Sequence, residues 1–215
     1  RTPVVVVGAG AIGRVHARLC LQHPQLSLAA VVDPTPEAQA FAQSLGVPWH
    51  AQLDAILGAQ RPAGVIVATP NATHAEIGLA CLQAGVPVLM EKPIAGSLAD
   101  AQRLCDAVAA RGVPLLVGHQ RRHSARLQAA RALVRDGTLG RVVTAQLMAN
   151  WLKPDSYFDA AWRRQSGGGP VLINLIHDID MLRFLLGPVA TVQAMTSNAV
   201  RGFDVRAGAA DALVA

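Results

Sequence analysis

The chain has 215 residues, 52% hydrophobic and 15% charged, with a formal net charge of +5, which suits one large or two modest globular domains with a substantial core. The charge is mild, and its densest cluster, RRHSARLQAARALVR, sets Arg122, Arg126, Arg131 and Arg135 near helical spacing with few aromatics to stack on bases, so no nucleic-acid surface is expected. No run is long enough to span a bilayer, and Cys20, Cys81 and Cys105 form no C-x-x-C pair, so neither membrane, metal nor disulfide framework is expected and the cytoplasm is the default.

The first 118 residues alternate strand and helix. PVVVVGAG is a short apolar β-branched run ending in glycine, as a buried parallel strand requires. It lacks the basic lead of a signal sequence and breaks into glycines before Arg14, His16 and Arg18. AIGRVHARLCLQHP continues at helical period to Pro24. LSLAAVVDP is a second strand, and TPEAQAFAQSLG a helix with Thr35 as N-cap, Pro36 in its first turn and Gly46 at its end. VPWH and AQLDAILGA are a weak strand and a short helix. AGVIVATP, VPVLMEKP and VPLLVG then read as strands, separated by the helices NATHAEIGLACLQAG and SLADAQRLCDAVAARG. Such alternation with short links means a doubly wound parallel sheet over 1–118.

After Gly118 the pattern changes. RRHSARLQAARALVRDG reads as a helix, and LGRVVTAQLMANW as a longer strand. LKPDSYFDAAWRRQSGGGP is a polar, glycine-rich loop, PVLINLIHDIDMLRFLLG a helix ended by Gly187, and PVATVQAMTSNAV strand-like; VRAGAADALVA is ambiguous. Residues 119–215 are therefore expected to begin an α+β domain with an open, mainly antiparallel sheet. The sequence stops where a further strand would start, so a fragment is expected.

GAGAIG, residues 8 to 13, fits G-x-G-x-x-G between a strand and a helix. One glycine serves a tight turn, one lets a pyrophosphate approach the backbone, and one lets helix and strand pack closely; the helix N-terminus offers N–H groups to the phosphates. Gly8, Gly10, Ala11, Ile12 and Gly13 are thus cofactor-binding candidates. Asp33 follows twenty residues later at the end of the second strand, where a carboxylate accepts both adenosine ribose hydroxyls and repels a 2′-phosphate, which favours NAD over NADP.

Lysine is rare here: Lys92 and Lys153 stand against seventeen arginines. Lys92 falls just outside the carboxyl end of a parallel strand, the edge where open α/β sheets place ligands. A lysine ammonium can lose its proton and donates as a compact point, unlike a guanidinium. A surface lysine left by chance is the competing explanation.

VGAGAIG, ATPNATH (68–74), EKP (91–93), GHQRRH (118–123) and GGGPVLINLIHDID (167–180) together resemble the Gfo/Idh/MocA oxidoreductases over nearly the whole length. The resemblance implies a Rossmann domain followed by an α/β domain with an open sheet, most of which would be missing here. It implies that Lys92 touches the substrate hydroxyl, that the peptide before Pro93 is often cis, and that Glu91 lies near the nicotinamide ribose, a structural carboxylate being nearly as plausible. Thr69, Pro70, Asn71 and His74 would border the nicotinamide, although TPNATH is also an ordinary strand-to-helix turn. Arg121 or Arg122 would reach cofactor or substrate unless they only line a solvated helix face, and Trp162 and Arg163 would close over the cofactor, with a structural tryptophan as the alternative.

The resemblance also places the catalytic histidine at His177, which is otherwise read as a satisfied core residue. An imidazole titrating near neutrality suits the proton transfer that accompanies hydride transfer. Relatives often carry an aspartate one turn earlier, where this chain has Ile173; Asn174 is the nearby polar group and a candidate for orienting substrate. Either Asp178 or Asp180 would hold the imidazole tautomer, or each serves a cap or salt bridge. The expected activity is NAD-dependent oxidation of a secondary alcohol in a sugar, polyol, cyclitol or related cyclic molecule by a homo-oligomer, dimeric or tetrameric. The alternatives are a glycosidase or lyase whose NAD is restored each cycle, and a non-catalytic dinucleotide binder.

Overall fold

The computed structural model describes residues 1–59, 61–150, 152–164 and 171–195. The chain divides into two compact units, Arg1–Gly118 and His119–Ala215.

Unit 1 is built on six parallel strands: β1 (Thr2–Val7), β2 (Leu26–Val32), β3 (Trp49–His50), β4 (Gly64–Val67), β5 (Val88–Met90) and β6 (Leu115–Val117). Their order in the sheet is β3-β2-β1-β4-β5-β6, so the winding reverses between β1 and β4, the arrangement of a dinucleotide-binding fold. The helices between them are α1 (Ala11–Gln22), α2 (Pro36–Ser44), α3 (Asp54–Ala59), α4 (His74–Gln83) and α5 (Leu98–Arg111).

Alternation along β1 feeds both faces of the sheet. Val4 and Val6 pack with Ala17, Cys20, Phe41 and Ala42 of α1 and α2. Val5 and Val7 pack with Ile56, Cys81 and Val86 on the other side. Burial pushes the Cys81 thiol up to about 12, the behaviour of a small core hydrophobe. Thr35 caps α2 by accepting a hydrogen bond from the Ala38 N–H, and Ser97 caps α5 through the Asp100 N–H.

Unit 2 carries a 3-10 turn over Gln120–His123, then α6 (Ala125–Arg135), further 3-10 turns over Asp155–Phe158 and Ala161–Arg164, and α7 (Ile176–Leu186), which a π-helical turn over Val171–Leu175 introduces. Four sequence expectations are corrected here. The helix expected from Arg121 begins with a 3-10 turn, and the helix expected from Pro170 begins with the wider π turn. The strands expected over 139–151 and 188–200 are not formed by their described residues, 139–150 and 188–195. β-branched residues supply propensity, but a strand exists only where a neighbour completes its ladder, and these segments have none among the described residues. The ambiguous stretch 205–215 lies outside them. Among the described residues, no helix is long and apolar enough to cross a membrane.

Two glycines of unit 1 are fixed by space. Gly8 has φ +93°, and a Cβ there would lie 2.6 Å from the Ala68 carbonyl oxygen; at Gly13 it would overlap the Gly8 carbonyl oxygen, while at Gly10 it would meet nothing within 4 Å. Gly13→Ala should therefore lower unfolding stability by about 1–3 kcal/mol, whereas Gly10→Ala should change it little, as urea denaturation of both variants would measure.

Candidate functional site

The carboxyl ends of β1, β2, β4 and β5 bring Gly8, Asp33, Thr69 and Glu91–Lys92 to one edge of the sheet. At its centre α1 begins. No side chain caps this helix, its N-cap is Gly10, and its first turn has no acidic residue. Gly10, Ala11 and Ile12 lie exposed around its positive end. Gly8 and Gly13 keep the turn close against β4, and open space faces Gly10. This is what a pyrophosphate cradle requires.

Asp33 sits beside this turn. Its Oδ2 accepts from the Ala9 N–H at 2.8 Å, and its Oδ1 accepts from the Thr35 N–H at 2.9 Å and the Thr35 hydroxyl at 2.6 Å. Burial pushes its carboxyl upward, but these three donors and the Arg14 charge outweigh burial and hold it below its ordinary value. Three of about four acceptor positions on the carboxylate are engaged, so a ribose hydroxyl would use the remaining one or displace Thr35.

The next strand end is a tied loop. Thr69 is half-buried, and the Thr73 hydroxyl lies 2.8 Å from both the Thr69 hydroxyl and the Pro70 carbonyl. Pro70 is exposed and Asn71 half-buried at this edge. His74 departs from the sequence expectation. It is 0% exposed, with Nδ1 2.8 Å from the Pro93 carbonyl oxygen and Nε2 3.0 Å from the Thr69 carbonyl oxygen. A ring so enclosed has no surface to offer a nicotinamide; it joins two loops instead.

Lys92 is half-buried, and the Lys92–Pro93 peptide is cis. Glu91, just before it, accepts from His16 of α1 at 2.9 Å and from the Lys92 N–H at 3.2 Å. Burial raises the Glu91 carboxyl, but the His16 hydrogen bond and charge, with Lys92, overcome this and lower it. Glu91 is therefore already an anchored ion. His16 was not singled out by sequence reasoning; its place one turn after Gly13 on α1 is the signal that points it to this edge.

Unit 2 gathers a separate group. His177, at the start of α7, is buried, and the His119 ring meets it edge-on with centroids 6.5 Å apart. Asp178 pairs with Arg121 at 2.6 Å, and Asp180 receives the Arg122 Nε at 2.8 Å, with His119 3.7 Å away. Both aspartates are thus neutralised by arginines, and Arg121, expected at the cofactor, is held by Asp178. Asn174 and Ile173 lie on the π turn, so the simple helical phase back from His177 does not hold across them. Arg163 donates to the Tyr157 carbonyl at 2.6 Å and stacks on that ring at 4.0 Å; the Trp162 side chain lies outside the described residues. Among the described residues, no group of three or more His, Cys, Asp or Glu could hold a metal ion.

Comparison with known proteins agrees with this geometry. Residues 2–119 match the model of an oxidoreductase family with an NAD-binding Rossmann fold, and residues 127–215 match the Gfo/Idh/MocA C-terminal domain. The chain is 34% identical to an inositol 2-dehydrogenase of Streptomyces avermitilis, over 87% of this chain and 54% of that protein. It is 30% identical to a 2,7-anhydro-N-acetylneuraminate hydratase of Mediterraneibacter gnavus, over 91% and 53%. The WlbA dehydrogenase of Bordetella pertussis, solved with NADH and UDP-GlcNAcA, superimposes with a TM-score of 0.86 at 31% identity, over 95% of this chain and 64% of that one. The chain thus spans between half and two-thirds of the length of these relatives. With a Rossmann unit whose switch-point cradle fits a dinucleotide and both family models matched in order, the chain belongs to the Gfo/Idh/MocA family of NAD-binding oxidoreductases.

Proposed function

We propose that the protein is an NAD-dependent dehydrogenase of a secondary alcohol in a sugar, polyol, cyclitol or related cyclic substrate. The observation that carries this reading is a phosphate cradle open at Gly10 on the same sheet edge as Lys92, whose loop is anchored on both sides. Inositol and a sugar nucleotide are named for relatives of this chain, which supports the substrate class. NAD, when bound, supplies the hydride acceptor.

In this reading Gly8, Gly10, Ala11, Ile12 and Gly13 hold the pyrophosphate, Asp33 the adenosine ribose, and Thr69, Pro70, Asn71 and Glu91 border the nicotinamide end. Lys92 donates a hydrogen bond to the reacting hydroxyl. His177 accepts the hydroxyl proton as hydride leaves carbon, and Asn174 orients the substrate in place of the carboxylate that Ile173 does not provide. Arg121, Trp162 and Arg163 are assigned a smaller part, because Arg121 and Arg163 already serve Asp178 and Tyr157. A homo-oligomer belongs to the same reading.

A second reading is redox-neutral chemistry, an elimination or hydration for which bound NAD would supply a hydride acceptor that is restored within each cycle. Similarity to a hydratase favours it, as does the absence of the usual carboxylate at Ile173.

Incubation of the full-length protein with NAD and a panel of inositols, polyols and sugars, read by NADH absorbance, separates the two. Steady NADH formation is expected, with kcat/KM reduced at least ~100-fold in Lys92→Ala and His177→Ala and NAD affinity nearly unchanged. Substrate conversion without net NADH would favour the redox-neutral reading, and neither would sink both.

Asp33 adds a pH expectation. Its carboxyl titrates below the ordinary 3.8, so the stability its bonds contribute is fully present above that value and lost as pH falls through the lower folded value. NAD affinity should accordingly be flat from about pH 8 to about pH 5 by calorimetry; a loss near pH 6 would place another group at the ribose.

A further inference from the structure

The least expected group at the sheet edge is a histidine with no solvent and no substrate to meet. His74 opens α4, is 0% exposed, and faces an acceptor with each ring nitrogen: the Pro93 carbonyl at 2.8 Å and the Thr69 carbonyl at 3.0 Å. A leucine would fill the same space without the cost of burying an imidazole. What the imidazole adds is a rigid spacer of fixed length between the loop that follows β4 and the loop that follows β5.

The second loop carries Lys92. On its N-terminal side Glu91 is tied to His16 of α1, and on its C-terminal side Pro93 is tied to His74 of α4. The lysine backbone is thus held between two histidines on two different helices. We propose that His74 is a positioning residue that fixes Lys92 relative to the Thr69 loop; the proposal rests on the catalytic reading of Lys92 given above.

The protonation state sets how tightly the spacer holds. A neutral ring has one N–H and donates to one carbonyl, whereas the cation donates to both. Burial disfavours the cation and lowers the His74 pKa; its two carbonyl partners and the Glu91 carboxylate oppose this, and the Lys92 charge adds to it. At neutral pH one carbonyl therefore holds a true hydrogen bond, and acid adds the second.

The chain's two lysines, Lys92 and Lys153, make the test direct. Lysine labelled with 13C at its ε carbon gives two signals in the 215-residue chain, which Lys92→Arg assigns. In His74→Gln the Lys92 signal should shift while the Lys153 signal stays. In the full-length protein kcat should fall about 10–100-fold with NAD affinity held within about 3-fold, the size expected when a group supporting a functional residue is removed. A folded variant with an unmoved Lys92 signal and unchanged kcat would overturn the proposal. So would parallel loss of both lysine signals, NAD affinity and thermal midpoint, which would mark a purely structural role.

The wild-type chain provides a measurement that needs no variant. The His74 ring N–H should be protected from solvent exchange, and exchange as fast as that of the exposed His23 ring would overturn the clamp. Absence of turnover in the wild-type enzyme would defeat the dehydrogenase reading alone, because the lysine and ring signals still report on His74.

Discussion

Where β1 leaves the sheet, backbone lies against backbone: Gly8 against the Ala68 carbonyl, and Gly13 against Gly8. This crowding closes β1, β4 and the start of α1 into one tight corner at the point where the sheet order reverses. Side chains at Gly8 or Gly13 would pry it apart. Gly10 alone has open space, so the corner exposes uncapped helix N–H groups in one direction. The chemistry of an anion cradle follows from that packing rather than from any charged side chain.

Around the corner the ionisable groups are restrained before any ligand arrives. Asp33 is bound by Ala9 and Thr35, Glu91 by His16, and His74 by one of the two carbonyls that its ring faces. In Asp33 and Glu91 burial works against charge, and the surrounding donors prevail, so both are held as carboxylates. In His74 burial prevails. Fixed charges and fixed loops thus meet at one edge of the sheet, which leaves little reorganisation for a ligand to induce.

Much of unit 1 was legible from periodicity. Apolar β-branched runs, helical periods and the caps at Thr35 and Gly46 identified its strands and helices, and the G-x-G-x-x-G spacing with Asp33 located the cradle. The partners of Glu91 and His74 were not legible, because pairings over 75 and 19 residues depend on how the sheet folds back on itself. The burial of His74 was not legible either, because a motif says which residues occur together, not which way each side chain points. In unit 2, local propensity suggested strands over 139–151 and 188–200. A strand is a property of pairs, and no ladder partner exists for those segments among the described residues. The arginines of GHQRRH were visible as a basic cluster, yet their commitment to Asp178 and Asp180 lies in the packing of the 3-10 turn against α7.

Gly10 faces open space while Gly8 and Gly13 face the protein. Calorimetric titration of NAD and NADP into the wild-type chain and Gly10→Val tests the cradle most directly. NAD should bind the wild type at least ~10-fold more tightly than NADP, a difference of about 1.4 kcal/mol, and Gly10→Val should lose this binding with its unfolding midpoint intact. Equal affinity for NADP, or undiminished NAD binding by Gly10→Val, would contradict it.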